Sequence, residues 1–148
     1  RLLLRSNTYR MASIHPQENR NRARDAANRL WWRFNRRRLD ADALRDSLLA
    51  VSGELNSAVG GPGFVPTVSR EALEGLSRKG AEWQPSAPEQ QLRRSIYMHL
   101  KRALLMPLMT AFDFPDTTQP VEARETAVVA PQALALMNND FPRLRSLA

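Results

Sequence analysis

The sequence predicts a mainly α-helical protein, an irregular multi-helix domain with long loops and little strand. Two observations lead to this prediction: apolar residues recur every three or four positions in several stretches, and residues typical of helix ends flank those stretches. Proline and glycine interrupt the pattern repeatedly, so we expect loops between the helices. A chain of 148 residues is expected to form one helical domain over residues 1–148.

The best-defined element is a helix that follows Asp40. Asp40 is a favourable N-cap, and Gly53 follows the last apolar position, where a left-handed C-terminal residue costs glycine least. Arg45 and Asp46 are expected on the opposite or flanking faces. The stripe predicted to be buried consists of Leu44, Leu48, Leu49 and Val51.

Upstream of this helix the pattern is weaker. Residues 1–10 begin like the end of a helix, and the polar run 17–24 predicts a loop because it has no apolar period. Residues 28–35 place Leu30, Trp31 and Phe34 on one helical face. A short strand is the alternative there, because the run is rich in aromatic residues.

Downstream, glycine and proline at 60–63 predict a turn, and Ser69 is expected to cap a short helix that runs to about residue 78. A longer helix is predicted from Pro88, and Pro107 should break or kink it before a short continuation to residue 112. That helix rests on a row of apolar residues at i, i+4, i+8 and i+12: Leu92, Ile96, Leu100 and Leu104.

The last part of the chain is predicted to be extended and then helical. Residues 117–129 are polar and then β-branched, which favours an extended backbone. Pro131 is typical of the first turn of a helix, and we expect Leu134 and Met137 on the buried side of that helix.

The net charge of +7 is confined to the first third of the chain. Residues 1–53 hold twelve Arg against five acidic residues, whereas residues 54–148 hold ten basic and ten acidic residues. Every basic residue except Lys79 and Lys101 is Arg. Because Arg makes planar, bidentate contacts and tolerates partial burial, this bias suits anion recognition and equally suits internal ion pairs.

Six residues form the candidate ligand site, which we expect to take an anion. Three are consecutive arginines, and the others lie in the helix predicted from Pro88; the six are Arg36, Arg37, Arg38, Arg93, Arg94 and Tyr97. The structural alternatives are an ion-pair network with Asp40, Asp42 and Asp46 and a solvated helix face. Nucleic acid is the generic partner of a basic patch, but the sequence contains no recognised nucleic-acid-binding motif, so this partner is not favoured.

The sequence offers no support for a metal or a cofactor in this segment. His15 and His99 are far apart and lack an HxxxH or HxxE companion. The absence of cysteine excludes disulfides, thiolate metal sites and CxxCH haem attachment from these residues. No apolar run approaches the roughly 20 residues that a membrane span requires.

Six strings, in order across nearly the whole chain, resemble the C-terminal domain of unknown function of planctomycete cytochrome-type surface proteins. They are SNTYR (residues 6–10), NRLWWRFNRRRLDADALRDSLLAVSG (28–53), GGPG (60–63), RRSIYMHLKR (93–102), AFDFPD (111–116) and APQALALMN (130–138). The resemblance implies an extracytoplasmic parent, periplasmic or on the cell surface, with haem c in another domain. It brings no settled activity or catalytic residue.

Three functions are therefore considered. The first is a structural or site-completing helical module whose partners are other domains of the same chain, since the chain lacks an initiator Met and we expect a piece of a larger multidomain protein. The second is part of an enzyme that acts on an anionic, for example sulfated, polysaccharide or in redox chemistry. The third is nucleic-acid or polyanion binding through residues 1–53.

Overall fold

The structure, a computed structural model, describes residues 1–74, 83–101, 104–117, 120–124 and 127–147. Within these ranges the chain is mainly helical, with isolated β-bridges and no sheet, which confirms the predicted fold class. The elements are α1 (Leu2–Arg5), α2 (Glu18–Arg24), α3 (Ala41–Val51), α4 (Arg70–Glu74), α5 (Pro88–Gln91), a 3₁₀ turn (Ser95–Tyr97), α6 (Pro107–Ala111), α7 (Ala130–Asn138) and α8 (Asp140–Arg145).

The chain divides into two compact units, Arg1–Arg38 and Leu39–Ala148. The first holds α1 and α2, and the second holds the remaining elements. The expectation of one domain over residues 1–148 stays a prediction.

In the first unit, a polar turn replaces the helix or strand predicted over residues 28–35. Asp25 accepts backbone N–H groups from Arg29 and Leu30, at 3.0 and 2.8 Å. The buried Asn28 donates to the carbonyl oxygen of Arg33 at 2.7 Å and has a positive φ of 53°. Because these side chains satisfy the local backbone, the residues take neither regular structure.

The same unit contains a helix that the sequence pattern missed. Residues 17–24 are predicted as a loop, but Glu18–Arg24 forms α2. This helix buries none of its residues, so it has no apolar stripe by which periodicity could reveal it.

The second unit is built around α3, which contacts the 3₁₀ turn, α6 and α8. α7 lies against α6 and α8. Side chains from separate segments form the core: Ala41, Phe64, Met98, Leu108, Met109 and Phe112.

The existence and bounds of α3 confirm the prediction, but its predicted buried face is only partly right: Leu49 is buried and Leu44 packs against the core, while Val51 is exposed. Gly53 has the expected positive φ of 75° beyond the helix. The residues that are buried are Ala41, Arg45 and Leu49, whereas Val51 is 90% exposed. The buried row is therefore i, i+4, i+8 from Ala41, and it includes an arginine that the rule of polar residues outward assigns to solvent.

The long helix predicted from Pro88 is also wrong beyond its first turn. Only Pro88–Gln91 is α-helical before the 3₁₀ turn, and Ile96 of the predicted stripe is 77% exposed. The backbone instead pairs with an earlier segment: Phe64 donates to the carbonyl oxygen of Tyr97 at 2.9 Å, and His99 donates to that of Phe64 at 2.7 Å. These partners remove the backbone groups that a continuous helix would need.

Three prolines lie in the first turn of a helix, and this position is the predicted one for Pro88 and Pro131 but not for Pro107. Pro107 begins α6 and does not interrupt a longer helix, since a missing N–H costs nothing at a first turn. Pro131 lies in the first turn of α7, as expected. The helix predicted from Ser69 is present as α4 up to Glu74, and its continuation to residue 78 lies outside the described residues.

The predicted buried side of α7 is wrong. Leu134 is 56% exposed and Met137 is 72% exposed. The buried residue is Gln132, whose amide nitrogen donates to the carbonyl oxygen of Ala127 at 3.0 Å. Helix α8, which follows at Asp140–Arg145, was not predicted; the Asn139 side chain caps it by accepting from the N–H of Phe141 at 2.9 Å.

Candidate functional site

Arg45 of α3 is the most deeply buried charged residue that the structure describes, with 2% of its surface exposed. Its Nη1 donates to the carbonyl oxygen of Arg93 at 3.0 Å and to Oγ of Ser95 at 3.2 Å, and its Nη2 donates to the carbonyl oxygen of Gln91. The guanidinium carbon lies 5.1 Å from the ring centre of Phe64. Arg45 therefore joins α3 to the segment 91–95 by hydrogen bonds.

The charge of Arg45 is costly where it lies. Burial lowers its pKa to about 10, Asp46 acts in the opposite direction, and Arg145 lowers the pKa further by repulsion. A value near 10 still leaves the guanidinium cationic at neutral pH. The fold thus holds the desolvated positive charge of Arg45, which the carboxylate of Asp46 compensates only in part.

Asp46 is the carboxylate that partly balances Arg45. Its Oδ1 accepts both the backbone N–H and the hydroxyl of Ser95, each at 2.7 Å, and lies 3.6 Å from Nη1 of Arg45. Oδ2 lies 3.8 Å from Nε of Arg94, whose side chain is half exposed. Ser95 therefore fixes Oδ1 of Asp46, while Oδ2 makes only the long contact with Arg94.

Arg93 and Tyr97 together hold the turn at residues 60–63, which we call the glycine turn. The Arg93 guanidinium donates to the carbonyl oxygens of Pro62 and Gly60. It stacks on the Tyr97 ring with its carbon 4.0 Å from the ring centre, and the Tyr97 hydroxyl accepts the N–H of Gly60 at 2.8 Å. Both side chains thus support a loop of their own chain.

An open cleft of about 610 Å³ runs along the polar side of α3. Arg124 lies in it at 2.7 Å from Asp42 and 3.5 Å from Asp40, and Arg94 faces Asp46. The cleft is lined by Asp42, Ala43, Asp46, Ser47, Ala50, Leu55, Arg94, Ile96 and Arg124. Each cation in it already faces a carboxylate.

The six residues of the predicted anion site belong to different units. Arg36 and Arg37 are exposed and Arg38 is half-buried in the first unit, while Arg93, Arg94 and Tyr97 lie in the second. The structure brings Arg93 and Tyr97 together and places Arg94 in the cleft. Anion binding by this set stays a prediction.

The sequence pattern did not reveal the roles of Arg45 and Ser95, and it offered Asp46 only as a member of an ion-pair network. The available signal was the row Ala41, Arg45, Leu49 at i, i+4 and i+8, in which the arginine takes a buried position. Periodicity alone does not supply its carbonyl partners, which lie 46 and 48 positions further along.

The described part of the chain contains no cluster of three or more His, Asp or Glu able to hold a metal ion. His15 accepts the N–H of Gln17 through Nδ1 at 3.0 Å, and His99 contacts the ring of Trp83 with 5.9 Å between ring centres. Within the same described residues, none of the helices has the length and hydropathy that crossing a membrane requires.

Together, the fold and the site define a small helical protein in which arginines link backbone segments. The chain belongs to the PSD1 family, described as "Protein of unknown function (DUF1553)", and the match covers residues 1–146. No curated protein and no solved structure matches the chain.

Proposed function

We propose that the chain is a non-catalytic, site-completing helical module of a larger extracytoplasmic protein of the planctomycete cytochrome type. Family membership supports an uncharacterised module. The periplasmic or cell-surface location and the haem c domain elsewhere in the parent rest on the sequence resemblance. The partners of the module are then other domains of the same parent, which we call the parent protein.

The single observation that carries this proposal is the exposed apolar surface of α7. The helix contains no charged residue, and Leu134 and Met137 are 56% and 72% exposed. Val128 and Val129, immediately before the helix, are exposed as well. An outward helix face in a self-sufficient protein normally carries polar side chains, whereas depletion of charge is typical of the centre of an interface.

The use of the buried arginines supports a structural role over a catalytic one. Arg45 and Arg93 donate to backbone carbonyl oxygens, and Asp46 is fixed by Ser95. Groups committed in this way hold the fold and are not positioned for proton transfer or for attack on a substrate.

The experiment compares oxidation of Met137 by hydrogen peroxide in the 148-residue chain and in the parent protein, followed by peptide mass spectrometry. Docking of α7 protects Met137 in the parent, so its oxidation slows by about tenfold or more. Met109, which is fully buried in the chain, controls for unfolding and should resist oxidation in both. Equal rates for Met137 in the two contexts would contradict the proposal.

A second candidate is part of an enzyme for an anionic, for example sulfated, polysaccharide. The cleft along α3 favours it, because Arg94 and Arg124 remain partly exposed there. If this function holds, Arg94→Gln and Arg124→Gln in the parent should each reduce turnover of a sulfated glycan. Any redox chemistry of the parent would take place in its haem domain. Unchanged turnover in both variants removes this candidate.

A third candidate is polyanion or nucleic-acid binding through residues 1–53. The exposed arginines there, including Arg36 and Arg37, support it. Binding of this type weakens steeply with salt because counterions are released. A gel shift that detects no complex at low salt would eliminate it.

A further inference from the structure

A second opening in the Leu39–Ala148 unit is an apolar groove of about 430 Å³. Its walls are the segment 66–69, the start of α6 and helix α8. Its lining is Arg45, Pro66, Thr67, Val68, Ser69, Pro88, Gln91, Met106, Pro107, Leu108, Asn139, Asp140, Phe141, Leu144 and Arg145. The volume falls within the roughly 300–1,000 Å³ typical of small-molecule sites.

The two cations in this lining are Arg45 and Arg145, and both contact the same aromatic ring. The guanidinium carbons lie 5.2 Å and 4.4 Å from the ring centre of Phe141. They are close enough for Arg145 to lower the pKa of Arg45 by repulsion. Two like charges at the edge of an apolar groove favour an anion between them.

Each of these two arginines has a carboxylate near it. Glu54 lies 3.0 Å from Nε of Arg145, and Asp46 lies 3.6 Å from Nη1 of Arg45. Neither acid lines the groove. Asp140 does line it, but this exposed carboxylate is paired with Arg143 at 2.9 Å.

Arg45 retains donor capacity despite its burial. A guanidinium has five N–H donors, and three of those of Arg45 reach Arg93, Ser95 and Gln91. The Nε–H is buried and has no hydrogen-bond partner. An unpaired buried donor on a charged group is costly, so the positive charge of Arg45 is incompletely compensated by the chain itself.

We propose that this groove binds a small organic carboxylate, with the carboxylate between Arg45 and Arg145 and an apolar body against the aromatic and aliphatic lining. Arginine and carboxylate match in planarity and charge, and Phe141 and Leu108 offer apolar surface to the rest of the ligand. The neutral amide of the same acid keeps the apolar body but loses the charge. The groove should therefore discriminate strongly between the acid and its amide.

The test is a fluorine NMR titration of the 148-residue chain with 4-fluorophenylacetate, and with 4-fluorophenylacetamide as the uncharged probe. We expect saturable binding of the acid and affinity for the amide at least about tenfold lower. Absence of saturable binding by the acid, or equal binding of acid and amide, would overturn the proposal.

Two matched pairs of variants locate the site. Arg145→Gln and Leu144→Glu alter the groove, whereas Arg70→Gln, at an exposed arginine that pairs with Glu74, and Leu147→Glu make the same charge changes at residues that do not line it. The groove variants should each weaken binding of the acid by about tenfold or more, and the control variants by less than about twofold. Leu144 is 52% exposed, so its substitution leaves the core intact. Equal losses in groove and control variants would show binding elsewhere and refute the assignment.

Discussion

The Nη1 atom of Arg45 lies 3.0 Å from the carbonyl oxygen of Arg93, which follows it by 48 positions. This bond joins the central helix α3 to the segment from which Arg93 in turn reaches the glycine turn. Two arginines in series thus connect three parts of the second unit through backbone carbonyl oxygens. Their hydrogen bonds are charge-assisted, and loss of either arginine removes the donor from two or more acceptors.

We expect Arg45→Met to lower the free energy of unfolding by about 3 kcal/mol, because three acceptors lose their donor and Asp46 loses a neighbouring charge. Arg94→Met is the matched control, since this half-exposed side chain only faces Asp46 at 3.8 Å. Its loss should cost less than about 1 kcal/mol. Urea denaturation followed by circular dichroism measures both. If the two variants lost similar amounts of unfolding free energy, the claim that the hydrogen bonds of Arg45 hold the second unit together would be contradicted.

Tyr97→Phe should cost about 1 kcal/mol of unfolding free energy, because it removes only the acceptor for the N–H of Gly60. Arg93→Lys should cost more, about 2 kcal/mol, because an ammonium cannot bridge the carbonyl oxygens of Pro62 and Gly60 and stack as a plane. Urea denaturation of both variants tests whether Arg93→Lys loses more unfolding free energy than Tyr97→Phe. A larger loss for Tyr97→Phe would show that the hydroxyl, and not the guanidinium, holds the glycine turn.

Gly63→Ala should destabilise the protein by about 1–3 kcal/mol through a clash. A Cβ at this position would lie 2.8 Å from the carbonyl oxygen of Tyr97, which is backbone and cannot rotate away. At Gly53 a Cβ meets no atom within 4 Å, but φ is +75°, so Gly53→Ala should cost about 1 kcal/mol from conformation alone. Gly53→Asn should recover part of that loss, because Asn tolerates a positive φ. At position 63 any side chain would keep the same clash with the carbonyl oxygen of Tyr97, so no substitution should recover the stability. Thermal unfolding of the three variants is the measurement.

The pKa of Asp25 is lowered, first by the hydrogen bond from the N–H of Leu30 and also by that from Arg29. A carboxylate with a lowered pKa stabilises the folded state above its unfolded value of 3.8, and the contribution is lost as pH falls through the lowered value. The amide resonances of Arg29 and Leu30 should therefore shift in an acid transition whose midpoint lies below pH 3.8. In Asp25→Ala that acid transition should disappear. A midpoint above pH 3.8 would contradict the hydrogen bonding.

Helix α3 was predictable because an N-cap residue, a C-terminal glycine and an apolar period agree over eleven residues. Its buried face was predictable only in part, because amphipathic reasoning places Arg45 outside and cannot foresee acceptors from residues 91–95. The helix expected beyond Gln91 failed for a related reason. Residues 93–98 form parallel bridges with Asn56 and Phe64, and such long-range pairing leaves no local signal.

The candidate sites were harder to predict than the fold. The predicted anion site joined arginines by sequence pattern, whereas the groove combines the segment 66–69, the end of α5, the start of α6 and α8. Helix α8 was not predicted at all, so Arg145 and Phe141 had no assigned position. A site assembled from separate segments becomes visible only when the fold is known.

The central claim, that this chain completes a larger protein through the face of α7, is tested most directly by calorimetry of Leu134→Asp in two contexts. In the 148-residue chain Leu134 is already exposed, so the melting temperature should fall by less than about 2 °C. In the parent protein the new charge would be buried in the interface, and the transition of this module should fall by about 4 °C or more. An equal, small shift in both contexts would contradict the claim.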